Sequence, residues 1–308
     1  MEIDFSSKHD VLIRLRDGSL IHMDEPHYEI ELIAPDTWMI ISSGDNHYLL
    51  AGDDEGIAID TGYGAGNLRE YLESVSKKPV PCAINTHHHF DHTANNGYFN
   101  KVYMAAESVP LATIPYPSFD GITFPRDFES IVVGDGYVIN LKGRALEIFC
   151  IGDHTDGGIA ILDRKERLLF TGDEINPSGK MIDNSVESFK KKLEKIMIHR
   201  FEFDRICGGG GISDASLVDD FYNAMCNILA GEIGEQVELK KLTFPAEPKG
   251  PNGETVYGYN TPRPEDAPTR INGEGRKNVR QYMYKGMSFK YTKLYDDANG
   301  HLARPAGP

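Results

Sequence analysis

Thr86-His87-His88-His89-Phe90-Asp91-His92 is the stretch on which the reading of this chain turns. Four of the protein's eleven histidines fall within it beside an aspartate, a density that calls for a chemical reason. Side chains alternate along extended backbone, so His87 and His89 project to one side, and Asp91 and His92 need only a turn to face the same point. Neutral imidazole and carboxylate suit zinc or another divalent first-row ion, and three or more converging ligands are costly to hold together without one. On spacing alone, a solvated histidine tract is the competing reading. Two further segments weigh against it. Gly152-Asp153-His154-Thr155 follows the apolar run Ala145 to Ile151, and Thr171-Gly172-Asp173-Glu174 follows Leu168-Leu169-Phe170. Ligands placed at strand ends converge on one rim of a sheet core.

Strand patterns surround these segments. Tyr28 to Ile33, Thr37 to Ser42, His47 to Ala51 and Ile57 to Asp60 are short apolar or β-branched runs punctuated by Pro35-Asp36, Gly44-Asp45-Asn46 and Gly52-Asp53. Gly66 to Ser76 predicts a helix, because Leu68, Tyr71, Leu72 and Val75 recur at spacings of three and four. Pro81 to Asn85 reads as a buried strand that feeds the histidine segment. A second strand set follows at Tyr137 to Asn140, Ala145 to Ile151, Ile159 to Leu162 and Leu168 to Phe170. Helical spacing returns at Val186 to Ile198 and Ser216 to Leu229, the second with Asp214 or Ser213 as its expected cap. Strands then helices thus occur twice, without a repeat of fixed period.

Two hairpins are expected outside this body. Val11 to Arg16 and Ser19 to Met23 flank Asp17-Gly18, a pair suited to a type I′ turn, and Val279 to Tyr284 and Met287 to Thr292 flank Lys285-Gly286. Thr243 to Arg270 is rich in Pro, Gly and Glu without periodicity and predicts an extended linker or surface arm. The expected organisation is a hairpin extension at 1–26, a main domain at 27–244 and an arm at 245–308.

The 308 residues carry 47 Asp and Glu against 32 Lys and Arg, a net charge of −15 that disfavours a polyanionic nucleic-acid partner. No window approaches the ~20 apolar residues of a spanning helix. The opening Met1-Glu2-Ile3-Asp4 lacks the basic-then-apolar order of a secretory signal, so a cytoplasmic location is expected. Cys82, Cys150, Cys207 and Cys226 are widely spaced and read as free thiols. Residues 270–308 are net +5 while the rest is −20, which favours docking of the arm on the body. The stripe Tyr282, Tyr284, Phe289 and Tyr291 predicts a covered surface, with a homo-oligomer as the expected cover. Trp38 is expected in the core.

The chain resembles the metallo-β-lactamase superfamily over roughly residues 27–232. The resemblance rests on H-x-H-x-D-H at His87, His89, Asp91 and His92, on Asp60 in Ile59-Asp60-Thr61-Gly62, on His154 in its Gly-x-His-Thr setting, and on Asp173. It implies an α/β (α+β) fold, the four-layer αββα sandwich of that family, built from two related halves. It further implies that His87, His89 and His154 hold one metal, that Asp91 and His92 hold a second, and that Asp173 bridges them. Zn2+ is the expected ion, one or two per chain, with iron or manganese as alternatives. Water held between two cations loses a proton near neutral pH and attacks a carbonyl or phosphoryl centre, with Asp91 as the candidate catalytic residue that orients it or passes the proton on. The implied activity is a metal-dependent hydrolase acting on a small ester, thioester, lactone or lactam. The alternatives within the same fold are an iron-dependent oxidoreductase, of the sulfur dioxygenase type with His87, His154 and Asp173 or of the di-iron type, and a non-catalytic metal-binding member.

One departure stands out. The family's last histidine for the second metal comes from a Gly-rich loop, and the matching stretch here is Cys207-Gly208-Gly209-Gly210-Gly211. The second site is therefore expected to be weaker or differently ligated, and the glycines to widen the pocket. No Gly-Lys-Ser/Thr follows, so they are not a phosphate loop. His199 and His301 read as surface histidines. His88 and Phe90 point away from the metals by period two, Asp60 is expected to hydrogen-bond the His-rich loop, and Glu174 to face away from Asp173. Tyr116 to Pro125 is read either as an aromatic lid or as a tethered connection.

Overall fold

The computed structural model describes residues 6–15, 17–42, 45–62, 64–112, 125–239, 250–258 and 276–296. The lid segment, except Pro125, lies outside them, as do His301, Met1 to Asp4 and most of Thr243 to Arg270.

Two sheets face each other. The first orders β3 (Glu29–Ala34), β4 (Thr37–Ser42), β5 (Asp45–Ala51), β6 (Gly56–Ile59), β7 (Cys82–Ile84), β8 (Lys101–Met104) and β9 (Glu129–Val132) side by side, antiparallel as far as β6 and parallel beyond it. The second orders β10 (Val138–Asn140), β11 (Ala145–Cys150), β12 (Ile159–Asp163), β13 (Leu168–Gly172), β15 (Arg205–Gly208) and β16 (Gly211–Asp214). Period-two alternation sorts their side chains into layers. Tyr48, Leu50, Ile57 and Ile59 meet Ile148, Ile159, Ile161 and Phe170 between the sheets. Leu49, Ala58 and Val102 turn outward onto Leu68 and Leu72 of α1 (Leu68–Ser76). Leu162, Leu169 and Ile206 turn outward onto Phe189, Leu193 and Phe221 of α3 (Val186–Met197) and α4 (Ser216–Leu229). The result is the expected αββα sandwich. Trp38 packs, partly buried, on the outer α1 layer.

The flanking segments differ from the expected extensions. β1 (Val11–Arg14) and β2 (Leu20–His22) form the hairpin, and β18 (Thr255–Gly258), inside the stretch read as a linker, pairs parallel with β1. The Asp17-Gly18 turn is not type I′, because only Gly18 has a positive φ (86°). The Leu15 carbonyl instead accepts from the Gly18 N–H at 3.0 Å, the Leu15 N–H donates to the Ser19 carbonyl at 2.9 Å, and Asp17 Oδ1 accepts from the Ser19 N–H. Lys285-Gly286 does carry two positive φ values, 48° and 83°, as type I′ requires.

The arm is built into the body. β19 (Arg276–Tyr284) and β20 (Met287–Tyr291) join β17 (Glu235–Leu239) and the three-residue β14 (Gly179–Met181) in one sheet, ordered β14-β20-β19-β17. Phe289 and Tyr291 are fully buried against α3 and α4, with Tyr282 and Tyr284 packed at the edge of the same cluster. The aromatic stripe expected to meet a second subunit is covered by the chain's own core. Asp214 does serve α4, accepting from the Ser216 N–H at 2.8 Å, although the cap position itself is Ala215. The glycine loop is a hairpin, with Gly208 paired to Gly211 and Gly209-Gly210 at its tip. Among the described residues no helix is long and apolar enough to cross a membrane.

Candidate metal centre

The histidine segment leaves β7 at the rim where the two sheets open, and Asp60 knits it in place. Asp60 sits at the end of β6 with a left-handed φ of 59°. Its Oδ1 accepts from the Thr86 N–H at 2.7 Å, and its Oδ2 accepts from Thr86 Oγ1 at 2.7 Å and meets His92 Nδ1 at 2.8 Å. The turn that Asp91 and His92 require is a single-turn helix, α2 (Phe90–Thr93), with Thr93 Oγ1 donating back to the His89 carbonyl at 2.9 Å. The His92 carbonyl accepts from Asn85 Nδ2 and from the Thr61 N–H, so the turn is held from both sides. Phe90 packs away from the histidines among Ile13, Met23 and Ala94. His88 is half-buried with its ring 5.0 Å from that of His89.

His154 enters from the loop after β11 and Asp173 from the end of β13. His87, His89 and His154 bring one ligand atom each within 4.8 Å of one another, and His87, His92 and Asp173 do the same. His87 thus stands within reach of both sets, where the resemblance implied the first alone. Asp173 spans them, with Oδ1 3.6 Å from His92 Nε2 and Oδ2 3.7 Å from His154 Nε2. Asp91 joins neither tight set. Its Oδ2 lies 3.7 Å from His92 Nε2, and a third of its side chain is exposed.

The donor atoms suit a cation. His87 Nε2 and His92 Nε2 are buried and have no hydrogen-bond partner among the described residues, a costly arrangement unless an ion takes their lone pairs. Burial holds the His87 imidazole well below its ordinary pKa and brings His89 down to about 3, so both are neutral ligands. For His92 burial acts the same way, but the carboxylates of Asp60, Asp91 and Asp173 outweigh it and hold its proton well above the usual range. Burial would raise Asp173, yet His92, with His87 and His154 behind it, keeps its carboxyl well below the usual range. Asp60 receives Nδ1–H of His92 and so fixes Nε2 as the ligand atom.

This asymmetry makes the two sets distinguishable. Metal binding at His87 and His89 meets imidazoles that burial already holds neutral, whereas binding at His92 must expel a proton. The affinity of the second ion is therefore expected to rise more steeply with pH through neutrality than that of the first. Calorimetry in buffers of different ionisation enthalpy measures the protons released. Equal release at both steps would contradict the assignment.

The glycine hairpin tip is seated on the second set. A Cβ built at Gly209 would overlap Asp173 Oδ1 and lie 3.5 Å from His92 Cε1. Gly209→Ala is accordingly expected to displace Asp173 and release the second ion preferentially. Unchanged metal stoichiometry and activity in that variant would contradict the placement. Among the described residues no histidine takes part from this hairpin. His199 lies elsewhere, its Nδ1 2.8 Å from Glu202 Oε1.

Sequence reasoning assigned Glu174 an orientation but no role. It faces away from the metals as expected, but it is buried, and its Oε1 accepts from the backbone N–H groups of Asp153 at 2.7 Å and His154 at 2.9 Å. An acid at the end of the apolar run Leu168-Leu169-Phe170 was the available signal. A third cluster, His9, His22 and Asp24, brings ligand-type atoms close as well. Its imidazoles stack 4.0 Å apart with planes 9° from parallel, so their in-plane lone pairs run side by side instead of converging. His9 Nδ1 is engaged by Asp24 and His22 Nδ1 by the His9 carbonyl.

Comparison with known proteins agrees with this geometry. The chain is 29% identical over 172 residues to the human acyl-coenzyme A thioesterase MBLAC2, covering 45% of this chain and 60% of that protein. It is 28% identical over 120 residues to hydroxyacylglutathione hydrolase of Prochlorococcus marinus (strain MIT 9312), covering 38% and 46%. The match thus spans about three fifths, or less, of the length of these relatives. Among solved structures, a metallo-beta-lactamase from Pontibacter korlensis aligns with a TM-score of 0.53 at 17% identity over 65% of this chain and 100% of that one. The metallo-beta-lactamase FIM-1 from Pseudomonas aeruginosa aligns with a TM-score of 0.53 at 20% identity over 66% and 97%. The family model for the metallo-beta-lactamase superfamily matches residues 44–197, half of the sequence. Because that matched segment itself carries the His87 to His92 turn, His154 and Asp173, the sequence match and the convergence of side chains describe one and the same site, and the chain belongs to the metallo-beta-lactamase superfamily.

Proposed function

We propose that this protein is a metal-dependent hydrolase of small carbonyl substrates and that thioesters are its preferred class. The observation that carries the reading is the pair of ligand sets sharing His87 and spanned by the Asp173 carboxylate, with two buried imidazole nitrogens otherwise unsatisfied. Three imidazoles would suit zinc with a fourth position open, and His92 with Asp173 would suit a second divalent ion. Bound zinc would acidify a water molecule and polarise the substrate carbonyl. The chain's own groups do the rest. Asp91, a third exposed beside His92, is placed to take the water's proton and return it to the departing sulfur, so that acid and thiol leave as products.

The preference for thioesters draws on two relatives whose names specify thioester hydrolysis, an acyl-coenzyme A thioesterase and a hydroxyacylglutathione hydrolase. The test is turnover of zinc-loaded protein on matched acyl thioesters, oxygen esters, lactones and a β-lactam, with metal identity measured on the purified protein. Thioester kcat/KM at least about 100-fold above the β-lactam value, and lost in Asp91→Asn, is the expected result. Failure to hydrolyse any member of the panel when fully loaded would remove the proposal.

A further inference from the structure

We propose that Lys180 is a positioning residue for the metal centre, through which the C-terminal strand β20 sets the alignment of His154 with Asp173. The inference rests on the metal-binding reading above and adds a component that lies outside the ligand loops.

Lys180 is buried, with its side chain only 5% exposed, and its Nζ lies 2.6 Å from Glu174 Oε2 and 3.0 Å from Asp153 Oδ2. Among the described residues no other Lys or Arg forms an ion pair with either carboxylate. Glu174 uses its two oxygens in two directions. Oε1 accepts from the N–H groups of Asp153 and His154, while Oε2 takes the ammonium and shares the His154 N–H at 3.1 Å. It is also the chain neighbour of Asp173, so one side chain rivets the loop bearing one ligand to the strand end bearing another. Asp153 completes the frame by accepting from the N–H groups of Asp183 and Asn184 at 3.1 Å each. There is no slack for Glu174 on the far side, since a Cβ at Gly158 would lie 2.5 Å from its Oε1.

The ammonium does not take its position from either ligand loop. β14 is only three residues long and pairs in parallel with β20, Lys180 opposite Phe289. The Ser288 N–H donates to the Ser178 carbonyl and the Ile182 N–H to the Lys290 carbonyl, which fixes β14 at both ends. Lys180 Nζ rests 4.3 Å from the ring centre of Phe189 on α3. Without the cation, Glu174 and Asp153 would be two buried carboxylates with no counter-charge between them, and Glu174 would turn away from the His154 N–H. That change loosens the backbone that aims His154. Glu174 is one hydrogen bond from the His154 backbone and Lys180 is two, and groups that hold a ligand in its orientation typically alter metal affinity 10- to 100-fold.

The experiment compares zinc affinity by chelator competition, the visible spectrum of the cobalt-substituted protein and the melting temperature for wild type, Lys180→Met, Glu174→Gln and the double variant. Lys180→Met is expected to weaken metal binding about 10- to 100-fold and to shift the cobalt spectrum. Glu174→Gln is isosteric and carries the test should Lys180→Met fail to fold. Its amide cannot accept from the His154 N–H without turning its own N–H groups toward Lys180, so about a tenfold weakening is expected there too. In the double variant neither conflict remains, and metal affinity is expected to recover relative to Lys180→Met. A lower melting temperature with wild-type affinity and an unchanged cobalt spectrum would reduce the triad to a structural device and overturn the proposal. His154→Ala serves as the reference. If it loses metal while the Lys180 and Glu174 variants do not, this inference alone fails. If it keeps metal, the underlying assignment of the site fails with it.

Discussion

His154→Ala is expected to cut metal affinity at the first ligand set and kcat/KM together by at least about 1,000-fold, equivalent to roughly 4 kcal/mol. His87, His89 and His154 hold their donor atoms within 4.8 Å of one another, and removing one leaves two imidazoles and a gap beside Asp173. His154 alone comes from the second half of the sandwich, so its loss also severs the first ligand set from the second sheet. His199→Ala, at a partly buried residue paired with Glu202 and remote from both ligand sets, supplies the control and should leave both quantities unchanged. Full metal occupancy in His154→Ala, measured by elemental analysis after gel filtration, would refute the assignment.

Removing residues 276–308 is expected to abolish folding of the whole chain. That segment carries Met287, Phe289, Tyr291 and Leu294, all buried in the cluster that covers α3 and α4. Truncating one such aromatic, as in Phe289→Ala, costs about 3–5 kcal/mol, a large part of the roughly 5–15 kcal/mol by which a domain is stable. The opposite charge of arm and body contributes little by comparison. Lys285 meets Asp220 at 2.6 Å with its side chain 60% exposed, and surface pairs of this kind are worth at most about 1 kcal/mol. High salt should therefore leave the melting temperature of the intact protein almost unchanged. A soluble, cooperatively melting truncation with wild-type metal content would show the strand pair to be dispensable.

The contrast between arm and ligands shows what a sequence discloses. The ligands of the His87 to His92 turn are neighbours in the chain, so period two and one turn suffice to bring them together. The strands were legible from alternation, which announces a buried face, and their assembly as a sandwich came from the resemblance carried by the site motifs. Phe289 and Tyr291 also alternated, but alternation says that a face is covered, not by what, and the cover was α3 and α4. The glycine hairpin gave no pattern because Gly208 to Gly211 present no side chains to alternate. Glu174 and Lys180 escaped for a different reason. Their roles exist only through contacts with Asp153 and His154 made across the fold, and the strand that carries Lys180 is itself held by β20, more than a hundred residues downstream.

The parallel pairing of β1 with β18 governs the order in which the protein can mature. Val11 and Thr255 are partners 244 residues apart, and the cluster beneath that sheet, Val11, Ile13 and Met23, also contains Phe90 of the histidine turn. At the roughly 5–20 residues per second of ribosomal synthesis, β1 waits on the order of 10–50 s for its neighbour strand to be made. During that interval one edge of β1 lacks its partner. The sheet that backs the histidine turn is thus completed late although its first strand is made early. Nascent chains arrested before residue 255 should be cleaved near the N-terminus by proteases that spare the completed protein.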